Sequence, residues 1–341
     1  VHDGSHTDGR TTPDGAVDDD VAPAAGRADA GADRPSADPL IPDPADAALY
    51  APGRGSLVWT HGSDVRVMAA SVYALLLQVS HPTVGAGVAE HSTFLTDPWG
   101  RLLRTLDYAT TIGNGRPEHA AAMGRKIRVS HKRIKGVGPD GTRYHALEPE
   151  AYAWVHLTLG EGMIQAHRHM GRRLSAAQEE ALWHDWRKAG RLLGIRDRDL
   201  PETWAEAQVL RDRMVAERLG HNEAVDQVLT LLRGPAPPSR RIPRPLWRLV
   251  SAPAGELMLI VTGGLMDPDL RSRLGIPWGP ARQRAFRVVG ALGRAASLPM
   301  MLTPPLRSAG PWYLWLRGRT TRSRAVDRVA LDIETPGSSR P

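Results

Sequence analysis

From Val65 to Leu298 the apolar residues recur three and four positions apart, and no stretch shows the alternation of a half-buried strand. That spacing constrains the chain to an all-α fold. Prolines, glycines and short polar residues cut the pattern into helix-length pieces. Val65–Val79 is apolar nearly all round (Val67, Met68, Val72, Leu75, Leu76, Leu77), as expected of a helix buried in the core. Ser80-His81-Pro82 ends it, because a proline disfavours helical geometry at the preceding residue. A second helix follows through Val88, where Gly85, Ala86 and Gly87 allow another element close. Gly136–Tyr144 (GVGPDGTRY) reads as a loop or short hairpin. Pro149 opens a helix toward His169. Ser175 and Gln178 form a capping box for a helix through Leu193, which Gly194 terminates. Another helix spans Pro201–Leu219, and Asn222 caps the next, ending at Gly234. Residues 234–245 (GPAPPSRRIPRP) form a connector and a candidate subdomain boundary. Helical patterns resume at Leu246–Leu265 and Pro280–Leu298.

Composition sets the limits of this helical body. Residues 1–45 are rich in Asp, Gly, Ala and Pro and cannot bury enough surface to offset ordering entropy, so a disordered acidic tail is expected. The helical domain then covers 46–320, and 321–341 is read as a basic, flexible C-terminal tail. The chain has 341 residues, ten tryptophans, two phenylalanines and no cysteine. That excludes disulfides, thiolate-ligated haem, covalently attached haem and cysteine-rich zinc sites. The net charge of +7 hides a split: residues 1–50 carry eleven Asp and three Arg, leaving the remainder strongly basic. A basic body suits acidic cofactors or anionic membrane surfaces. No nucleic-acid motif accompanies the charge, so nucleic acid is not expected as a partner. The acidic N-terminus lacks a basic and apolar leader, and no run is apolar enough to span a bilayer, so a cytoplasmic location is expected.

Two segments carry the candidate chemistry. In the first, Asp97-Pro98 caps a helix that places Arg101, Arg104, Thr105 and Tyr108 on one face. Leu102, Leu103 and Leu106 cover the remainder, and composition alone puts the polar stripe in water and the leucines inside. In the second, Ala120, Gly124, Ile127, His131 and Ile134 share one helical face, while Arg125, Lys126, Arg128, Lys132 and Arg133 take the other sides. His131 is then either a satisfied core histidine or an iron ligand, with the flanking cations available to acidic groups of a cofactor. Glu90 is a candidate base. His81, Glu90 and His91 do not make a convincing metal site, because adjacent helical residues diverge. His156 is either a pocket residue or a core histidine. The C-terminal PWYLWLRGRTTRSR couples aromatics to arginines, as a packing helix or a peripheral membrane contact.

The run LLLQVSHPTVGAGVAEHSTFLTDP, then RLLRT, RVSHKRIKGV and YAWVH, resembles the catalytic domain shared by latex-clearing proteins (rubber oxygenases) and MpaB-type oxygenases. The resemblance covers about residues 55–300. It implies a globin-like bundle around a pocket for haem b, with His131 as the axial, iron-bound ligand. It also implies Arg101 and Thr105 in the pocket; Arg104, Arg128 and His156 are the further candidates for contact with the cofactor. Where rubber oxygenases carry a lysine that can reach the iron, this sequence has Arg104, and a guanidinium is a poor iron ligand.

Two functions follow. The first is a haem-dependent oxygenase that joins dioxygen to a hydrophobic, isoprenoid- or polyketide-like substrate, with Arg101, Thr105 and Glu90 acting at the reacting centre. The second is a haem-binding protein without turnover, used for sensing, storage or electron transfer.

Overall fold

Short polar side chains and prolines mark where the helices begin. In the computed structural model, which describes residues 38–93, 96–138, 140–239, 241–297, 302 and 309–320, the first helices are α1 (Ala47–Tyr50), α2 (Leu57–His61), α3 (Val65–Val79) and α4 (Pro82–His91). They are followed by α5 (Pro98–Asn114) and α6 (Pro117–His131). A hairpin of β1 (Lys135–Val137) and β2 (Arg143–His145) comes next, antiparallel with Gly136 opposite Tyr144. The second half holds α7 (Pro149–Met170), α8 (Ala176–Ala189), α9 (Trp204–Glu217) and α10 (Glu223–Arg233). It ends with α11 (Arg244–Leu265), α12 (Pro268–Arg273), α13 (Pro280–Ala295) and α14 (Ala309–Thr320). The protein is mostly helical.

The caps explain the boundaries. Asp97 accepts the Gly100 amide at 2.9 Å to start α5, and Asn222 accepts the Val225 amide at 3.1 Å to start α10. Ser175 and Gln178 close their capping box on α8, and Thr203 and Glu206 close a second one on α9. The helix expected to run to Leu193 stops at Ala189 and tightens into a 3-10 turn over Gly190–Leu193. Gly194, at φ 75°, reverses the chain there.

The core lies between α3 and α7, which pack against each other more extensively than any other pair of the described elements. Tyr73, Leu76 and Leu77 of α3 meet Trp154, Leu157 and Ile164 of α7, and Leu182 and Trp183 of α8 close the far side. The Trp154 indole donates to the Leu77 carbonyl at 2.9 Å, so the large ring is buried without an orphaned donor. The first turn of α3 reaches the surface at Val65 and Met68, and the later turns bury Tyr73, Ala74, Leu76, Leu77 and Val79 on one side while Ser71 stays exposed on the other. At Ser80-His81-Pro82 the chain turns by 103° into α4. Among the described residues no single helix is long and apolar enough to cross a membrane.

Residues 38–45 fall within the stretch that composition assigns to the tail, yet they lie against the body. Asp38 binds Arg128 and Lys132 of α6 and its C-cap at 2.7 and 2.8 Å, and Ile41 is buried. Three charges meeting outweigh the poor local composition. Residues 1–37 and 321–341 lie outside the described residues.

Candidate functional site

The two candidate segments form an antiparallel helix pair. α5 ends at Asn114 and α6 starts at Pro117, with Gly115 and Arg116 between them. Gly124 in the middle of α6 sits against the Leu192 carbonyl, where a Cβ would overlap it, so only glycine allows α6 this close to the 3-10 turn. His131 is the last residue of α6. Directly after it the hairpin folds back, and the Ala146 amide donates to the Ile134 carbonyl at 2.9 Å.

His131 has a defined protonation pattern. Its Nδ1 lies 2.7 Å from the Ile127 carbonyl oxygen, which can only accept, so Nδ1 carries the proton. Nε2 makes no hydrogen bond among the described residues and holds the lone pair. Burial lowers the imidazole pKa below its ordinary value, and the Ile127 carbonyl opposes this only in part. The charges of Arg101 and His145 lower it further. The ring meets Tyr152 of α7 edge-on at 5.6 Å between centroids, and the Tyr152 hydroxyl donates to the Leu193 carbonyl at 3.2 Å. His131 is therefore a neutral imidazole, held through Nδ1 and with the Nε2 lone pair unspent among the described residues.

The structure brings Arg101 to this imidazole. Burial also lowers the Arg101 pKa, and Arg104 adds to that while Tyr108 opposes it. Opposite Arg101 on α5, Leu102 is 44 % exposed and Leu103 53 %. This departs in part from the arrangement that composition alone suggests: Arg101 is half-buried beside a histidine while Arg104 and Thr105 stay exposed, and Leu102 and Leu103 face outward. Thr105 shares the Arg101 face but is exposed, and its hydroxyl donates to the Arg101 carbonyl at 2.9 Å. Arg104 is exposed and donates to Asp97 at 3.1 Å and to the Thr93 hydroxyl at 3.2 Å.

The other candidates have protein partners of their own. The Arg128 guanidinium donates to Asp38. Burial works against ionisation of Asp38, but Lys132, Arg128 and the Leu40 amide outweigh it and hold its pKa at about 2. Glu90 accepts the Tyr144 hydroxyl from β2, and burial and that carboxylate push the phenol up to about 12. His156 is fully buried, one turn beyond Tyr152 on α7. It stacks on Trp186 at 4.6 Å, donates from Nε2 to the Trp186 carbonyl at 2.8 Å, and its own carbonyl accepts the Trp186 indole at 2.8 Å. Burial lowers its pKa to about 4. His81 is also enclosed, with Nε2 3.4 Å from Glu150, and burial lowers its pKa.

Sequence reasoning passed over two features. Tyr152 and His145 border His131, and only the return of the hairpin and α7 places them there. Farther off, Glu161 is buried at the meeting of α3, α7 and α9. It accepts the Tyr73 hydroxyl at 2.7 Å and Arg211 at 3.1 Å, and Arg211 also pairs with Asp267. Burial raises the Glu161 pKa against the opposing charge of Arg211. A small cavity of about 40 Å³ lies there, lined by Glu161, Gln165, Trp204, Gln208, Arg211 and Asp212. It is smaller than the pockets of roughly 300–1,000 Å³ that hold drug-sized ligands. Among the described residues no three His, Asp or Glu side chains converge as a metal site.

The model for the catalytic domain of the ER-bound oxygenase mpaB/B' and rubber oxygenase matches residues 59–295, well over half of the chain, and the chain belongs to that family. Similar relatives include an uncharacterized protein of Mycobacterium bovis and one of Mycobacterium tuberculosis. Each is 25% identical over 217 residues, a match covering 62% of this chain and 81% of the relative. No solved structure matches.

Proposed function

We propose that this member of an oxygenase family binds haem b through His131 and uses dioxygen on a hydrophobic, isoprenoid- or polyketide-like substrate. The observation that carries the reading is the state of His131. Its Nδ1–H is committed to the Ile127 carbonyl, its Nε2 is available, and burial keeps the ring neutral. A backbone carbonyl on the remote ring nitrogen is the usual partner of a metal-bound histidine, because it fixes the tautomer and raises the basicity of the ligating nitrogen. A histidine on which no carboxylates converge among the described residues suits an iron whose other ligands come from a tetrapyrrole. Haem, when bound, supplies the oxygen chemistry.

The chain's own residues set ligation and charge. His131 holds the iron. Arg101 offers a fixed positive charge beside it, for a propionate or for negative charge developing on the reacting species. Thr105 can turn its hydroxyl from the Arg101 carbonyl toward that centre. Glu90 can accept a proton once it releases the Tyr144 hydroxyl. Arg104 remains a cation held by Asp97 and Thr93 and does not ligate iron. That last feature also favours the second reading, a haem protein without turnover.

The test is an absorption spectrum of the purified, haem-reconstituted protein, followed by oxygen uptake with a panel of isoprenoids. A Soret band with a b-type pyridine haemochrome and substrate-dependent oxygen consumption are expected. Haem binding without consumption selects the second reading. A colourless protein after reconstitution overturns both.

A further inference from the structure

The first half of α11 carries an apolar stripe that nothing in the described protein covers. Leu246, Leu249, Val250 and Leu257 are 58, 73, 63 and 41 % exposed, and with Pro253 they recur at helical spacing on one face. Toward the C-terminal end the same face is covered, where Phe286 of α13 lies directly against Gly264. The uncovered half is therefore the continuation of a packing face. Arg244 and Arg248 project from the opposite side of these turns, and Arg241 stands just before them. All three are exposed and make no ion pair among the described residues. Between Asp226 and Glu256 the sequence holds five arginines and no acidic residue. Trp247 braces the segment, with its indole donating to the Pro235 carbonyl at 2.8 Å and its ring meeting Trp99 of α5 edge-on at 5.7 Å.

We infer that this half of α11 docks the protein peripherally on an anionic membrane surface. An apolar stripe on one side of a helix with arginines on the other is the pattern of a helix lying in a bilayer interface, its aliphatic side chains among the acyl chains and its cations among the headgroups. Two other occupants fit less well. The acidic residues 1–37 could meet the arginines, but they contain no Leu, Ile, Met, Phe, Tyr or Trp to cover the stripe. In a second copy the stripe would bury a few hundred Å² at most, against roughly 800 Å² per partner in a stable interface. The inference is independent of haem binding. It is also separate from any contact made by the aromatic residues of α14.

The experiment is sedimentation of the full chain with vesicles of phosphatidylcholine alone and of phosphatidylcholine mixed with phosphatidylglycerol. The protein is expected to pellet with the mixed vesicles, weakly with the neutral ones, and less as salt rises. Arg244→Glu with Arg248→Glu should weaken partition about tenfold or more. Leu249→Glu with Val250→Glu should abolish it. These side chains lie at the surface, so circular dichroism melts of both variants should match the parent. Several outcomes overturn the inference: no binding to the mixed vesicles, equal binding to both kinds, or retained binding in Leu249→Glu/Val250→Glu. Loss of binding only in Trp312→Ala/Trp315→Ala assigns the contact to α14 instead. A dimer seen by light scattering and dissolved by Leu249→Glu assigns the face to a second copy.

Discussion

At the scale of single residues, His131 is a half-buried imidazole and His156 a fully buried one, and they differ in what their free nitrogen can do. His131 spends Nδ1 on its own helix and leaves Nε2 open beside Arg101. His156 spends Nε2 on Trp186 and is sealed under a stacked indole. His131→Ala is therefore expected to purify folded with most of its haem lost. Thr105→Ala and Arg101→Ala should keep much of the haem and lose oxygen consumption, because they remove charge and hydroxyl without touching the iron bond. Haem-to-protein ratios beside oxygen uptake check this. Full haem occupancy in His131→Ala would remove the ligand assignment. For His156 the consequence is a pH dependence. Its folded pKa of about 4 lies below the ordinary value of 6.5, so the unfolded chain takes up its proton first. The stability from the neutral ring is fully present above about pH 6.5 and is lost as pH falls toward 4, on the order of 3 kcal/mol. Denaturant melts at pH 7 and pH 5 should show this fall in the parent. His156→Gln should be less stable at pH 7 with a shallower pH slope.

At the scale of elements, the position of His131 depends on how closely α6 approaches the turn after α8. Gly124 permits that approach, because its missing Cβ is occupied by the Leu192 carbonyl. An exposed helix-interior Gly→Ala change gains about 1 kcal/mol from propensity. Here the sign should reverse. Gly124→Ala must push the backbone of Gly190–Leu193 away, and a loss of about 1–3 kcal/mol is expected, as for overpacked cores. The urea midpoint measures it, and an unchanged or raised midpoint would show that the turn yields freely. Tyr152 hydrogen-bonds to Leu193 in the same turn and borders His131, so a displaced turn should also lower haem affinity in this variant.

At the scale of the whole molecule, the first described residue of the body is an acidic one set against a basic helix. Asp38 ties the beginning of the body to Arg128 and Lys132, on the helix that carries His131. Removing residues 1–37 is expected to leave melting temperature and haem content unchanged, because their composition cannot form a core. Asp38→Ala should lower the melting temperature, since it strands two cations over a partly buried site. Its pKa of about 2 means that the carboxylate's contribution persists to acid pH and is lost only as pH falls from the ordinary 3.8 toward 2. Equal effects of the deletion and of Asp38→Ala would show that the boundary of the body lies upstream.

The helical class and most helix limits were legible in the sequence. The 3.6-residue period and the side chains that cap helices act over a few residues, as Asp97, Ser175 and Asn222 show. The proton on Nδ1 of His131 is local in the same sense, set by a carbonyl four residues back. The hairpin was only half legible, because three-residue strands are too short to show alternation. Other features depended on tertiary structure. Arg128 meets a carboxylate 90 positions away, Glu161 meets Arg211 50 positions on, and His156 finds its partner in Trp186, 30 residues later. No local pattern encodes such pairs, since each is fixed by how helices pack. The same holds for α5 and α11. Their leucines have the spacing of a buried face, but burial depends on a neighbour being present. At Leu103 and Leu249 the described residues supply none that covers the side chain.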